Sequence, residues 1–286
     1  MLVRYRTTSA ITLADFKSDL DGIIQGTITS VGQLSAAAQT YSVVYGSYPT
    51  GKYSRVNGTS YTYSKLHNSA DVSKTHYFRL NFDAAGVNTV SLARTYTSGT
   101  DTLLNSTDTT VNVDPIIYDP LYPMGIDIII NDKMIAFVMN TVQYGIFDIG
   151  TTGITLNYTD SMLMTHFDFG NIYNENIVAY ETYKPIFKST TGGTVPYTYN
   201  MDTLAYGTLT YGITTTIPYK RVTSVGGTLS IVENPTYIDC PNSAYASHLL
   251  YGVYRIPTGA FSGYQVYKDS NNLYRLTVND FIFLVD

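Results

Sequence analysis

Short segments of alternating apolar and polar residues, separated by turn dipeptides, dominate this sequence from Tyr41 onward. The segments 52–56 and 59–66, for example, are joined by Asn57-Gly58, a dipeptide that tolerates the positive backbone angles of a tight hairpin. Alternation places apolar side chains on one face of a strand and polar ones on the other. The pattern therefore predicts antiparallel strands, not helices, over most of the chain.

Further candidate strands follow at similar spacing, and the polar loops and proline-rich segments lie between them. In chain order they are 76–82, 86–95, 126–130 with 133–139, 144–149 with 154–158, 162–169, and several between 264 and 285. Such spacing is typical of sandwiches and barrels, and no fixed-period repeat indicates a propeller or a solenoid. We expect a mainly β fold with two antiparallel β-sandwich or barrel-like regions.

One segment near the N-terminus has helical spacing instead. Thr12 and Asp15 fit a variant of the capping box, and Gly26 is a typical helix end. Between them an apolar stripe recurs at helical spacing, formed by Leu13, Phe16, Leu20 and Ile23. Two interpretations stay open: the stripe packs on its own domain, or these four residues dock on a neighbouring subunit as part of an N-terminal arm.

The composition along the chain predicts three parts. Residues 27–40 are small and polar, like a linker, so we expect a helix and linker arm over 1–40. A Ser/Thr/Asp-rich loop then gives way to a segment with three prolines after Val113, and such a change marks a boundary. We therefore predict a first β domain over 41–113 and a second, larger β domain over 114–286.

Charged residues make up only 14% of the chain, and the net charge is −5. No run of Lys or Arg is present, so nucleic-acid binding is not expected. The single cysteine, Cys240, excludes an internal disulfide framework. We also expect no secretion signal and no membrane insertion, because the N-terminus lacks an apolar core and the apolar runs are short.

The segment G-S-Y-P-T-G-K-Y, from Gly46 to Tyr53, resembles a phosphate-binding loop by its spacing alone. Tyr53 occupies the position that requires a magnesium-binding hydroxyl, and the residues after Lys52 enter a predicted strand instead of a helix. We therefore interpret Pro49-Thr50-Gly51 as a tight turn.

Other motifs also lack their companions. Asp168-Phe169-Gly170 copies a kinase motif without the remaining kinase signatures. His166 and Asp168 share a strand face, but no third ligand lies at a recognisable spacing. Cys240 and His248 are close in sequence. A catalytic Cys and His are normally brought together by the fold, so this closeness is weak evidence for a catalytic pair. We predict no catalytic residue, no metal site, no cofactor and no enzymatic activity.

Tyrosine occurs 28 times and tryptophan not at all. A tyrosine ring buries a large area and keeps a polar tip, so it suits interfaces that are partly wet. Cross-strand pairing inside an ordinary sheet is the alternative use. From the first cluster we predict interface roles for Tyr45, Tyr48 and Tyr53.

Three segments carry a resemblance to a known group of proteins. They begin Y-R-T-T-S-A-I-T-L-A-D-F at Tyr5, Y-G-S-Y-P-T-G-K-Y at Tyr45 and I-P-T-G-A-F-S-G-Y at Ile256. In these segments, and in its low charge with abundant Thr, Tyr, Gly and Asn, the chain resembles virion structural proteins of tailed bacteriophages, in particular of those with contractile tails. The resemblance implies a subunit of the tail, baseplate or neck, located in the virion.

The leading interpretation is thus a non-enzymatic assembly subunit that contacts other virion proteins and forms a homo-oligomer. The alternative is a receptor- or glycan-binding module such as a fibre or adhesin head, with a host-surface glycan as partner. The absence of tryptophan, which offers the best stacking face, counts against the alternative. A hydrolase of surface polymers is disfavoured because no pattern in the sequence points to a pair of carboxylates that would act as its acid and base.

Overall fold

The computed structural model describes most of the N-terminal half of the chain and a series of strands in the C-terminal half. The described residues are 1–68, 71–84, 86–93, 95–104, 111–117, 121–139, 142–151, 161–168, 171–178, 199–200, 205–206, 223–225, 228–230, 235–238, 248–255, 265–268, 274–278 and 281–286. The fold is mainly β, with an N-terminal helix and several antiparallel sheets, which confirms the predicted class. The chain divides into two compact units, Met1–Met139 and Asn140–Asp286.

Unit 1 contains two helices and the first strands of the chain. In order they are β1 (Leu2–Arg6), α1 (Leu13–Gln25), a 3₁₀ turn (Val31–Gln33), α2 (Ala36–Gln39), β2 (Val43–Tyr45), β3 (Tyr53–Arg55), β4 (Thr62–Asn68), β5 (Asp71–Asp83), β6 (Gly86–Ala93), β7 (Thr95–Thr97), a 3₁₀ turn (Ser98–Thr100), β8 (Thr102–Leu104), β9 (Val111–Ile117), β10 (Gly125–Ile130) and β11 (Met134–Val138).

The first sheet of unit 1 has the order β2-β1-β10-β11, with antiparallel neighbours throughout. β1 lies between two partners, so that Leu2 is opposite both Tyr45 and Ile129. The strands β10 and β11 are buried on both faces except for Gly125. Because both faces are covered, these two strands are nearly continuously apolar instead of alternating.

The second sheet of unit 1 is five-stranded and antiparallel, in the order β3-β4-β5-β6-β9. Its inner face is aromatic: the rings of Tyr63 and Phe78 stack with centroids 5.1 Å apart, and Tyr53 meets Phe78 edge-on at 6.5 Å. Its outer face carries Ser64 and Tyr77, which are directly opposite each other. The alternation expected of a half-buried sheet is therefore present here.

Helix α1 lies between the two sheets of unit 1. The hydroxyl of Thr12 accepts a hydrogen bond from the backbone N–H of Asp15 at 3.0 Å, which satisfies one free donor at the helix start. Gly26 ends the helix with φ +72°, a conformation that glycine adopts without a steric penalty. The ring of Phe16 contacts Tyr5 of the first sheet and Phe82 of the second, at centroid distances of 6.2 and 6.5 Å. The predicted helix and both of its ends are confirmed.

Unit 2 is described as strands. They are β12 (Val142–Thr151), β13 (Ser161–Asp168), β14 (Asn171–Val178), β15 (Tyr199–Asn200), β16 (Ala205–Tyr206), β17 (Thr223–Val225), β18 (Thr228–Ser230), β19 (Pro235–Ile238), β20 (His248–Arg255), β21 (Gln265–Lys268), β22 (Tyr274–Val278) and β23 (Phe281–Leu284).

The strand pairs of unit 2 are antiparallel. The order β12-β20-β23-β22-β21 forms one continuous path, with β13 beside β12, β14 beside β13, and β19 beside β20. Two separate pairs, β15-β16 and β17-β18, complete the described strands. The predicted strand at 154–158 lies outside the described residues.

The compact units divide at a different place from the predicted domains. Strand β10 pairs along its whole length with β1, and β11 pairs with β10. Residues up to Met139 therefore belong with the N-terminus, whereas the predicted boundary fell after residue 113. The predicted arm over 1–40 is likewise part of unit 1, because β1 is an inner strand of its first sheet.

The hairpin β3-β4 has a longer loop than the predicted Asn57-Gly58 turn. Arg55 pairs with Tyr63, and the N–H of Val56 donates to the carbonyl of Thr62 at 2.9 Å, so residues 57–61 form the loop. The guanidinium of Arg55 donates to the carbonyls of Asn57 and Ser60 at 2.8 and 3.0 Å. The prediction of a two-residue turn was wrong, because the loop is wider and its carbonyls bind the guanidinium of Arg55.

Candidate functional site: interaction surfaces

The apolar stripe of α1 is part of the core of unit 1. Phe16, Leu20 and Ile23 are no more than 1% exposed, and Leu13 is partly exposed. These side chains fill the space between the two sheets, as in the first of the two interpretations made from the sequence. In this fold the stripe contacts its own unit, so an accessible docking surface has to be formed by other residues.

The three tyrosines predicted at an interface have different positions. The hydroxyl of Tyr53 donates to the carbonyl of Asn131 at 2.8 Å inside unit 1, where Tyr53 is buried. The hydroxyl of Tyr48 donates to the carbonyl of Ile24 at 2.8 Å, and burial raises the pKa of Tyr48 to about 12. Tyr45 is partly exposed at the end of β2. The folded chain thus uses Tyr48 and Tyr53 for internal contacts, while Tyr45 remains partly accessible.

A group of exposed apolar side chains lies around the C-terminal end of β1. Among the described residues, the large apolar side chains that are exposed are Tyr41 at 64%, Val43 at 41%, Leu121 at 76% and Tyr122 at 64%. We call these four residues the β1-end patch. Exposed apolar side chains gathered on one part of a surface are a feature of interaction sites.

Hydrogen bonds at the end of β1 place these four residues on its two sides. The N–H of Arg6 donates to the hydroxyl of Ser42 at 3.2 Å, and the N–H of Thr7 donates to the carbonyl of Met124 at 3.0 Å. Ser42 directly follows Tyr41, and Met124 comes shortly after Tyr122. The two halves of the patch therefore flank β1, separated by roughly two strand spacings of about 5 Å each.

The charges beside the β1-end patch are positive. The buried carboxylate of Asp127 pairs with the guanidinium groups of Arg4 at 3.2 Å and Arg6 at 2.7 Å. Two arginines on one carboxylate leave a local excess of one positive charge. Gly125 lies close to this pair, and a Cβ there would lie 3.3 Å from Cδ of Arg6. Arginine and tyrosine together are characteristic of protein interfaces.

A polar group on the outer face of the five-stranded sheet forms a second candidate site. Oδ1 of Asp101 accepts hydrogen bonds from the hydroxyls of Ser60 and Tyr96, each at 3.0 Å, and from Nη2 of Arg79 at 2.7 Å. Nε of Arg79 donates to the hydroxyl of Thr62 at 2.7 Å. We call these five residues the Asp101 cluster.

The carboxylate of Asp101 is held in its charged form. Desolvation raises its pKa, but the hydrogen bonds from Ser60, Tyr96 and Asn57 and the charge of Arg79 together bring the pKa below its ordinary value. Among the described residues, Asp101 is the one non-glycine residue that has a positive φ, at +50°. Aspartate tolerates this left-handed conformation better than most residues, so the backbone and the side chain are fixed together.

The motifs singled out in the sequence are placed as follows. The N–H of Lys52 donates to the carbonyl of Pro49 at 3.2 Å, and Gly51 has φ +76°, so the predicted turn is confirmed and Lys52 leads into β3.

His166 and Asp168 belong to β13, opposite Tyr144 and Val142 in the register. Cys240, Phe169 and Gly170 lie outside the described residues. In the part of the chain that the structure describes, His, Cys, Asp and Glu side chains form no group that would hold a metal ion.

The sequence did not point to Leu121, Tyr122 or the Asp101 cluster. The proline-rich segment that contains Leu121 and Tyr122 predicts only a boundary, although two large apolar residues between prolines are unusual for a connecting loop. Asp101 lies in the Ser/Thr/Asp-rich loop of the sequence, and no local pattern there indicates its partner Arg79, which is distant in sequence. Only the paired strands show that Ser60, Arg79 and Asp101 meet.

Comparison with known protein families, with curated proteins and with solved structures finds no match to this chain. None of the described helices is long and apolar enough to cross a membrane.

Proposed function

We propose that this chain is a non-enzymatic structural subunit of a tailed-phage virion, incorporated in the tail, baseplate or neck. The observation that carries the proposal is the β1-end patch, because the exposed large apolar residues of the described chain all lie on the two sides of β1. A soluble subunit that works alone gains nothing from exposing such a group, whereas an assembling subunit covers it. The resemblance of three segments to phage structural proteins supports the same role.

The first partner in the proposal is a second copy of the chain. A two-fold contact places the same patch against itself, and symmetric pairs of this kind are the commonest oligomers. Val43 belongs to β2, the last strand of the sheet on this side. A terminal strand provides a place where another strand can be added. Further contacts, to other virion proteins, then build the particle.

The low charge of the whole chain fits such a role. Charged residues make up 14% of the sequence and the polar surface is built largely from Thr, Ser, Asn and Tyr. Charge is costly to bury between subunits, so the centres of interfaces are depleted in it. A subunit with most of its surface covered in an assembly can therefore carry few charges.

Quantitative mass spectrometry of purified particles tests the virion role. The particles are those of the phage that encodes the chain, and the comparison is with the soluble fraction of the same lysate. We expect the chain in the particles, at a fixed ratio to the tail-tube protein. A chain that is abundant in the lysate but washed away from the particles would contradict the proposal.

The second candidate function is a receptor- or glycan-binding module. The observation that favours it is the Asp101 cluster, because its charged and hydroxyl groups are fixed beside the partly exposed rings of Tyr77 and Tyr96 without an excess of charge.

A further inference from the structure

Around Arg79, the described side chains on the outer face of the five-stranded sheet are polar. Ser64 is opposite Tyr77, and Thr62 is opposite Arg79, in the pairing of β4 with β5. On the other side of β5, Ser91 is opposite Arg79. Hydroxyl-bearing residues of both neighbouring strands thus flank Arg79.

Two polar atoms of the Asp101 cluster, one on Asp101 and one on Arg79, can make hydrogen bonds beyond those within the cluster. Oδ1 of Asp101 takes the bonds from Ser60, Arg79 and Tyr96, and the amide of Asn57 also acts on this carboxylate. Because a carboxylate oxygen has two lone pairs, Oδ2 can accept a further donor beside Asn57. Arg79 uses Nε and Nη2, and among the described residues its Nη1 has no partner. The side chains of Arg79 and Asp101 are 21% and 32% exposed. A donor and an acceptor are therefore fixed side by side at the surface.

An aromatic pair borders this donor and acceptor. The rings of Tyr77 and Tyr96 are 5.8 Å apart at an interplanar angle of 31°, and both residues are partly exposed. The hydroxyl of Tyr96 is bonded to Asp101, which fixes the orientation of its ring. A flat aromatic surface next to fixed polar groups offers one apolar and one polar contact to the same small ligand.

The charges on the cluster decide the chemical class of that ligand. The positive charge of Arg79 is paired with Asp101 at 2.7 Å, so the cluster has no net charge for a phosphate or another anion. The hydroxyl-rich face is also unsuited to an apolar peptide. A neutral polyol fits both properties, because its adjacent hydroxyl groups are donors and acceptors while its C–H face is apolar.

We infer that the Asp101 cluster with Tyr77 is a binding site for a neutral pyranose sugar. Oδ2 of Asp101 accepts from one hydroxyl of a vicinal diol, and Nη1 of Arg79 donates to the next. The C–H face of the sugar lies against the ring pair Tyr77–Tyr96. This site rests on the second candidate function and gives it a ligand class. It does not depend on the assembly role, so an experiment that disproves one of the two proposals does not disprove the other.

Saturation-transfer NMR on the full chain tests the site. The probes are the methyl α-glycosides of glucose, galactose and mannose, N-acetylglucosamine, and dextran, with inorganic phosphate, followed by the width of its phosphorus resonance, as the anionic probe. We expect transfer to at least one glycoside, with a dissociation constant on the order of 1 mM, the weak end of specific binding. A signal from dextran alone identifies a polymer site with the same diol chemistry. No transfer to any sugar, or binding of phosphate only, would overturn the inference.

Three variants locate any binding that is found. Asp101→Asn keeps a residue that tolerates positive φ but removes the charge, and we expect affinity to fall at least tenfold. Tyr77→Ser removes part of the aromatic surface without touching Asp101, and we expect a similar loss. Tyr41→Ser, in the β1-end patch, is the matched tyrosine control and should bind like the wild type. If Tyr77→Ser and Asp101→Asn both bind sugar at wild-type strength, the site is elsewhere and the inference is wrong.

Discussion

The hydroxyl of Tyr5 donates a hydrogen bond of 2.8 Å to Oδ2 of Asp19, and this bond joins β1 to α1 inside unit 1. The other oxygen, Oδ1, accepts the backbone N–H of Ser35 at 2.9 Å. Burial, with the nearby charge of Asp19, raises the pKa of Tyr5 well above its ordinary value. One carboxylate thus ties the first strand, the helix and the following loop together.

Removing this carboxylate should destabilise unit 1 strongly. Asp19→Ala leaves the Tyr5 hydroxyl and the Ser35 N–H without their acceptor, and we expect a loss of about 2–4 kcal/mol in the free energy of unfolding. Tyr5→Phe removes one bond and should cost about 1 kcal/mol. Urea denaturation of the full chain measures both. Ser18→Ala, on the exposed side of α1, is the control, and an Asp19→Ala variant as mild as this control would contradict the assignment.

The apolar stripe of α1 should behave as core and not as a docking surface. Phe16→Ala empties a buried site that contacts Tyr5 and Phe82, and we expect a loss of about 3–5 kcal/mol. Leu13→Ala, at the partly exposed end of the stripe, should cost about 1 kcal/mol or less. Denaturation midpoints and native mass are measured together. A Phe16→Ala variant that is as stable as the wild type but has lost an oligomer would show that the stripe docks on a partner.

Gly26 should not tolerate a side chain, for two separable reasons. A Cβ at Gly26 would lie 2.2 Å from the ring of Tyr48, and the backbone there has φ +72°. We expect Gly26→Ala to cost about 2–4 kcal/mol, combining a clash with about 1–2 kcal/mol for the left-handed conformation. In the double variant Gly26→Ala/Tyr48→Ala the clash is absent. Its cost should therefore be less than the sum of the two single variants, and simple additivity would argue against the ring contact.

Tyr48 should make stability sensitive to alkaline pH. Its pKa is raised from 10.0 to about 12 by burial, so the folded state holds the proton where the unfolded state releases it. The contribution is complete below pH 10 and is lost as the pH rises toward 12. We expect the stability advantage of the wild type over Tyr48→Phe to shrink across this interval. Chemical denaturation at a series of pH values checks this, with Ser47→Ala as the neighbouring control, and a constant difference would contradict it.

The sequence predicted those features that depend on local chemistry. The start of α1 at Thr12, its end at Gly26 and the turn at Pro49 each follow from residue types with a fixed backbone preference. The apolar stripe also predicted which helix face is buried, though not what covers it. That depends on Tyr5 and Phe82, which come from strands of different sheets.

Features that depend on distant pairing could not be predicted in the same way. The return of β10 to β1 places Gly125 opposite Arg6, and no local pattern at either residue indicates this register. The same return places the segment of Tyr122 on the side of β1 opposite to that of Tyr41, and so gives the two halves of the β1-end patch. The Asp101 cluster likewise requires a left-handed aspartate in one hairpin to meet an arginine of another strand.

Native mass measured over a range of protein concentrations tests the assembly role most directly. It is applied to the full-length wild type, to the triple variant Tyr41→Ser/Leu121→Ser/Tyr122→Ser, and to Ser18→Ala as control. We predict a discrete oligomer for the wild type and the control, and a folded monomer for the triple variant at the same concentration. A monomeric wild type, or a triple variant that keeps the wild-type mass, would contradict the proposal that copies of this chain assemble through the β1-end patch.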